Sequence, residues 1–193
     1  MRTASLSRTT KETDITMSLN LDGRGDFEGS SGVGFFDHML SAFCKHGLFD
    51  ISLSCTGDLY VDCHHTVEDI GIVLGKLFLE AIGDKYGIKR CGSCYMPMDE
   101  ALAFAAVDIS GRGYLADNVE YPQEKIGDYD SCMTEEFMRA FAMNALVTLH
   151  INCTGKNAHH MTEGVFKAVS RALREAVSID PRQQGIPSSK GTL

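Results

Sequence analysis

The sequence predicts an α+β fold made by tandem duplication. Two half-domains, 1–90 and 91–193, each carry a small mixed β-sheet packed on helices and together make one compact unit. Three observations predict this. The pattern His-His-x-x-Glu occurs twice, as His64-His65-Thr66-Val67-Glu68 and His159-His160-Met161-Thr162-Glu163, with the copies 95 residues apart in a chain of 193. Each copy follows a segment of alternating polarity that ends in Cys-Thr-Gly, and each leads into an apolar pattern of helical period.

The elements follow in order. Each half opens with a strand-like run, Asp14 to Leu21 and Ala103 to Ile109. A helical stretch comes next, Phe36 to Phe43 in the first half and Glu136 to Phe141 in the second. Aligning Ser41-Ala42-Phe43 with Arg139-Ala140-Phe141 sets Glu136 opposite His38. Period-two strands are predicted over Phe49 to Gly57 and Leu149 to Gly155. The helices after the motifs cover Ile70 to Ile82 and Val165 to Val177, where Val165, Val169, Ala172, Leu173 and Ala176 repeat at 3.6 residues. The halves join between Tyr86 and Met98, and the polar tail from Pro181 to Gly191 reads as a fraying terminus.

Composition narrows the function. A net charge of −8 argues against nucleic acid, which calls for a basic face, yet leaves room for a small anionic substrate held by a few local cations. No apolar run reaches the roughly 20 residues that span a bilayer. The opening Met1-Arg2-Thr3-Ala4-Ser5 has no apolar stretch behind it, so no secretory signal is expected and the cytoplasm is the default location. Seven scattered cysteines then read as small buried residues in a reducing compartment. Cys91-Gly92-Ser93-Cys94 has half the spacing of a zinc ribbon, without the second pair a ribbon needs.

The motifs carry the chemistry. Four residues apart on a helix, the first His and the Glu share one face, while the second His points about 100° away toward a different ion. Two sites of mirrored make-up follow, one with His64, Glu68 and His160, the other with His159, Glu163 and His65; the duplication adds His38 to one and Glu136 to the other. Imidazole and carboxylate donors without thiolate suit manganese, iron, cobalt, nickel or zinc. In the zinc peptidase motif the Glu lies between the histidines, whereas here it lies outside them. His150 lies in a predicted strand and reads as a packed or hydrogen-bonded histidine, and His46 as a helix cap or a ligand contact. Arg90, Arg112 between two glycines, and Ser188-Ser189-Lys190 have the make-up of anion anchors, and Glu12 and Asp99 are acids able to move protons. From spacing alone each of these also reads as a solvated surface group.

Phe35-Phe36-Asp37-His38-Met39-Leu40, Asp62-Cys63-His64-His65-Thr66-Val67-Glu68-Asp69, His159-His160 with Glu163 and Phe166-Lys167-Ala168, and Pro187-Ser188-Ser189-Lys190-Gly191 together resemble the imidazoleglycerol-phosphate dehydratase family, from about Arg8 to Leu193. The resemblance implies a lyase of histidine biosynthesis that dehydrates imidazole glycerol phosphate to imidazole acetol phosphate. It also implies a site with two Mn2+ ions that stabilises the substrate imidazolate, and a homo-oligomer of 24 subunits with active sites between them. By matching position, one ion takes His38, His65, His159 and Glu163, and the other His64, Glu68 and His160; some members have a histidine at the place of Glu136. The resemblance further assigns Arg90, Arg112, Ser188, Ser189 and Lys190 to the substrate phosphate. It sets Glu12, His46 and Lys167 around the substrate, together with the ligands His38, His64, His65, Glu68 and His159. Catalysis would fall to Glu12, Asp99 and Glu163. The family pattern has proline at Gly113 and aspartate at Cys63, which implies a looser arginine loop and a lost hydrogen bond behind the ligands. Two rival readings stay open on residues alone: a metal-dependent hydrolase, and a metal-storage or assembly protein.

Overall fold

The computed structural model describes residues 2–193. The first half runs β1 (Thr3–Thr9), β2 (Thr13–Asn20), β3 (Phe27–Ser30), α1 (Gly34–Gly47), β4 (Asp50–Gly57) and α2 (His64–Ile82). The second runs β5 (Cys91–Met98), β6 (Ala101–Asp108), β7 (Tyr114–Val119), a small β8–β9 hairpin (Lys125–Ile126, Tyr129–Asp130), α3 (Met133–Ala145), β10 (Thr148–Thr154) and α4 (Ala158–Val177). The strand orders match, β1-β2-β4-β3 and β5-β6-β10-β7. In each sheet the first three strands pair antiparallel and the last pairs parallel.

Strand polarity explains how the sheets pack. Ile15, Met17 and Leu19 of β2 alternate inward, as do Ala101, Ala103, Ala105 and Val107 of β6, so each sheet offers one apolar face. Helix α2 covers the first sheet and α4 the second. The shorter helices cross over, α1 onto α4 and α3 onto α2, so each half supplies a helix to the other. Six fully buried phenylalanines knit the four helices together: Phe36 meets Phe137 and Phe166, Phe141 meets Phe43 and Phe78, and Phe137 stacks on Phe166. One buried apolar cluster contains residues of both halves.

The predicted helices are all present and longer than expected, and the four predicted strands are present with bounds shifted by one or two residues. Several expectations change. The junction between Tyr86 and Met98 contains an edge strand, β5, whose Gly92 and Pro97 hide it from a pattern search. Consecutive residues of a strand face opposite sides, so Cys91 and Cys94, three apart, cannot grip one ion. The tail is tied down rather than frayed: Arg90 donates to the Pro187 carbonyl at 2.9 Å, Gly87 to that of Gly185 at 3.0 Å, and buried Lys85 to Leu193 at 3.2 Å. His150 points to solvent on β10, beside Tyr114, instead of packing inward. Among the described residues, no helix is long and apolar enough to cross a membrane.

Candidate metal centre

The two motifs open α2 and α4, and each helix start is fixed by a side chain two residues upstream. Asp62 accepts the His64 N–H at 2.8 Å, and Asn157 accepts those of His159 and His160 at 2.9 and 3.4 Å. Helical spacing then does what the sequence predicts. His159 Nε2 lies 3.4 Å from Glu163 Oε2, and His64 Nε2 lies 4.0 Å from Glu68 Oε2. His38, projecting from α1 where it crosses α4, brings Nε2 to 3.4 Å from the same Glu163 oxygen. The loop before α1 is anchored on Asp37, which accepts from Ser30 and Ser31 at 2.6 Å. Phe35 meets the His159 ring edge-on at 4.9 Å.

His38, His159 and Glu163 therefore offer two imidazole nitrogens and one carboxylate oxygen, all within 4.8 Å of one another. Glu163 is buried, which pushes its carboxyl up, but the hydrogen bond and charge of Lys167 and the nearby His38 outweigh burial and hold it below the usual range. An ionised carboxylate beside two imidazoles, with no thiolate, fits a divalent ion of the manganese-to-zinc series.

The second histidines turn elsewhere. His65 places Nδ1 3.0 Å from Asp58 Oδ2 and Nε2 3.8 Å from Glu12 Oε1. His160 places Nδ1 2.8 Å from Glu100 Oε2 and Nε2 3.8 Å from Asp99 Oδ2. Both rings are pushed toward the charged form, His65 chiefly by Asp58 and His160 chiefly by Glu100, while the Glu100 carboxyl is pulled down to about 2, chiefly by His160. The mirrored sets expected from spacing, His65 with His159 and Glu163 and His160 with His64 and Glu68, thus do not form within one chain, because each second ring is turned toward its own carboxylates. Glu136 lies in the first turn of α3 and outside the single cluster of three close ligand groups found among the described residues.

The anion anchors form a separate group. Arg90 grips Asp108 through Nε and Nη2 at 2.7 and 3.0 Å, which raises its pKa further, and reaches the tail through Pro187. Arg112 donates to the Ser110 carbonyl at 3.4 Å. In its loop Ser110 Oγ accepts the Arg112 N–H at 3.2 Å, and Gly113 lies so close to α3 that a Cβ there would come within 2.6 Å of Met143 Cα. Ser188 Oγ accepts the Lys190 N–H at 3.2 Å. Arg90 precedes β5 and Asp99 follows it, so they stand about 30 Å apart along the strand. His46, half-buried near the end of α1, is held toward the neutral form by burial and then by Lys167 and Arg171; it does not cap the helix, whose end is closed by Leu48. Asp58 and Glu100 were missed by sequence reading, although Asp58 directly follows the Cys-Thr-Gly signature and Glu100 adjoins Asp99.

Comparison with known proteins decides the family. A family model described as imidazoleglycerol-phosphate dehydratase matches residues 31–173. The chain belongs to the imidazoleglycerol-phosphate dehydratase family. The Gluconobacter oxydans dehydratase is 60% identical over 194 residues, covering 100% of this chain and 98% of that protein. The Thermoanaerobacter sp. dehydratase is 55% identical, with both chains covered in full. Among solved structures, the Staphylococcus aureus dehydratase superposes with a TM-score of 0.84 at 42% identity, covering 92% of this chain and 99% of that one. The Pyrococcus furiosus dehydratase, solved with (S)-C348, gives 0.84 at 35% identity over 97% of this chain and all of that one. The chain is accordingly an enzyme, a dehydratase of the lyase class, and the hydrolase and storage readings fall away.

Proposed function

We propose that the enzyme converts imidazole glycerol phosphate to imidazole acetol phosphate in histidine biosynthesis, with two Mn2+ ions per active site. The observation that carries the reading is the trio of His38, His159 and Glu163, three nitrogen and oxygen donors gathered from two crossing helices. His65 would complete that ligand set, and His64, Glu68 and His160, with Glu136 as a fourth donor, would hold the second ion. Held by these residues, such ions would supply Lewis-acid chemistry that lowers the pKa of the substrate ring.

The remaining work belongs to the side chains. Glu163, ionised and held by Lys167, keeps a fixed negative charge between two imidazoles. Glu12, on the turn between β1 and β2 and beside His65, takes the carbon-bound proton, and Asp99, on the matching turn between β5 and β6 and beside His160, serves as a further acid–base group. Arg90, Arg112, Ser188, Ser189 and Lys190 hold the phosphate and fix the chain geometry. His46 and Lys167 line the substrate.

Two separations favour active sites shared between subunits. Within one chain His65 turns to Asp58 and Glu12 and stays outside the trio, and Arg90 of the phosphate anchors lies a strand length from Asp99. A small substrate reaches both groups only if they come from different copies, which supports a homo-oligomer and, by family resemblance, a 24-mer. Its proposed location is the cytoplasm, where seven free cysteines stay reduced. Glu163→Gln removes the charge and keeps the shape, so dehydratase turnover in manganese should fall by orders of magnitude. Near-normal turnover would sink the scheme.

A further inference from the structure

Two carboxylates that no ligand or substrate role claims stand behind the second histidine of each motif. His65 Nδ1 lies 3.0 Å from Asp58 Oδ2, and His160 Nδ1 lies 2.8 Å from Glu100 Oε2. At these distances each carboxylate oxygen can accept a hydrogen bond from Nδ1–H, and that pairing selects the tautomer with its proton on Nδ1. A neutral ring with its proton on Nδ1 has its lone pair on Nε2. Both Nε2 atoms stand clear of these carboxylates and face the acids Glu12 and Asp99 at 3.8 Å.

The two halves reach this contact by different routes. Asp58 follows the Cys-Thr-Gly end of β4, but the matching residue after β10 is Lys156. In the second half the carboxylate comes instead from the β5–β6 turn, where Glu100 also accepts the N–H groups of Lys156 and Asn157 at 3.0 and 2.9 Å. In the first half the equivalent N–H, that of Asp58, donates to the Glu12 carbonyl at 3.0 Å. Simple inheritance of one residue through the duplication therefore does not explain the pair. Nor does loop anchoring explain Asp58: its side chain makes one hydrogen bond, to His65, and its other oxygen is buried without a partner among the described residues. Leaving a buried carboxylate oxygen unpaired is costly, so the contact to His65 has to compensate for it.

We propose that Asp58 and Glu100 are positioning residues that fix His65 and His160 in one tautomer and orientation, each presenting Nε2 to a divalent ion. The inference rests on the reading of His65 and His160 as metal ligands. Outer carboxylates of this kind change metal affinity about 10- to 100-fold when removed. The test is a double-mutant cycle read by Mn2+ affinity, with the EPR signal of free Mn2+ reporting binding to the full-length protein. Asp58→Ala should weaken one class of site about 10- to 100-fold in the wild-type background and have no further effect in a His65→Ala background. The His38, His159 and Glu163 trio keeps binding measurable in that background. Asp58→Asn, which preserves packing and an acceptor oxygen, should fall between, and Glu100→Gln should behave likewise against His160→Ala. No loss, or an equal loss in both backgrounds, overturns the positioning role while wild-type binding still stands. Absence of tight Mn2+ binding by the wild-type protein overturns the metal reading itself, and this inference with it.

Discussion

Asp117 shows how a single half-buried group sets a pH dependence that the sequence conceals. It lies on β7, and burial raises its carboxyl to about 6, with Glu135 adding to the rise while the Val119 N–H and Arg139 oppose it. In an unfolded chain the same group titrates near 3.8. The folded chain therefore binds the proton more tightly, so ionisation costs stability above about pH 6, and the cost is relieved as pH falls toward about 4. Asp117→Asn removes the charge and keeps an acceptor for Val119. It should raise stability at about pH 7.5 by about 1 kcal/mol, a figure discounted for partial solvent access, and the gain should shrink to nothing near about pH 4. Urea unfolding across that range checks it, and a variant no more stable than the parent at the higher pH refutes it. Residue identity at the site divides the same way. His38, His64, His159 and Glu163 are legible because helical spacing or a long motif announces them. Asp58 and Glu100 are not, because nothing local in the sequence links a loop or hairpin carboxylate to a histidine 7 or 60 residues away.

At the scale of elements, alternation reveals the central strands and hides the edges. β2, β6 and β10 bury every second residue and β4 buries Ile51 and Leu53, whereas β1 buries only Ala4, and β3 and β7 bury no residue and give no clean period. β5 is the instructive case. Gly92 weakens its pattern, yet the fold needs glycine there: a Cβ would sit 2.1 Å from the Ala172 carbonyl oxygen and 2.8 Å from the Ala176 nitrogen, both on α4. Helix α4 bears His159, His160 and Glu163, so this close approach also sets the height of these three side chains over the sheet. Gly92→Ala should destabilise the protein by about 1–3 kcal/mol, since the backbone of α4 would have to move away from β5. Thermal or urea denaturation measures the loss, and an unchanged midpoint would show that the helix yields freely. Both short helices also end on a leucine in the left-handed region, Leu48 at φ 55° and Leu146 at φ 54°. Leucine gives no sequence signal for such a cap, which usually falls to glycine, so the ends of α1 and α3 could not be read in advance.

At the scale of the molecule, duplication was legible and its consequence was not. Repeated motifs show that there are two halves, but not that α1 packs on α4 and α3 on α2. That exchange carries His38 across to His159 and Glu163, leaving His65 with Asp58 and Glu12. If one active site joins the trio of one subunit to the α2 motif of another, inactive variants should rescue each other. Glu163→Gln spoils the trio and leaves His64, His65 and Glu68 intact, while Glu68→Gln does the reverse. A mixed assembly pairs the sound trio of one variant with the sound α2 motif of the other at roughly a quarter of its sites, by random pairing of copies. Dissociating the two proteins together and reassembling them should restore up to about that fraction of wild-type turnover, where either protein reassembled alone stays inactive. The recovery should depend on mixing before assembly, because preformed oligomers that merely share a solution exchange no subunits. A mixture that stays as inactive as its components, while wild-type protein taken through the same cycle recovers, would place the whole site within one chain and require the α2 motif to move to the trio.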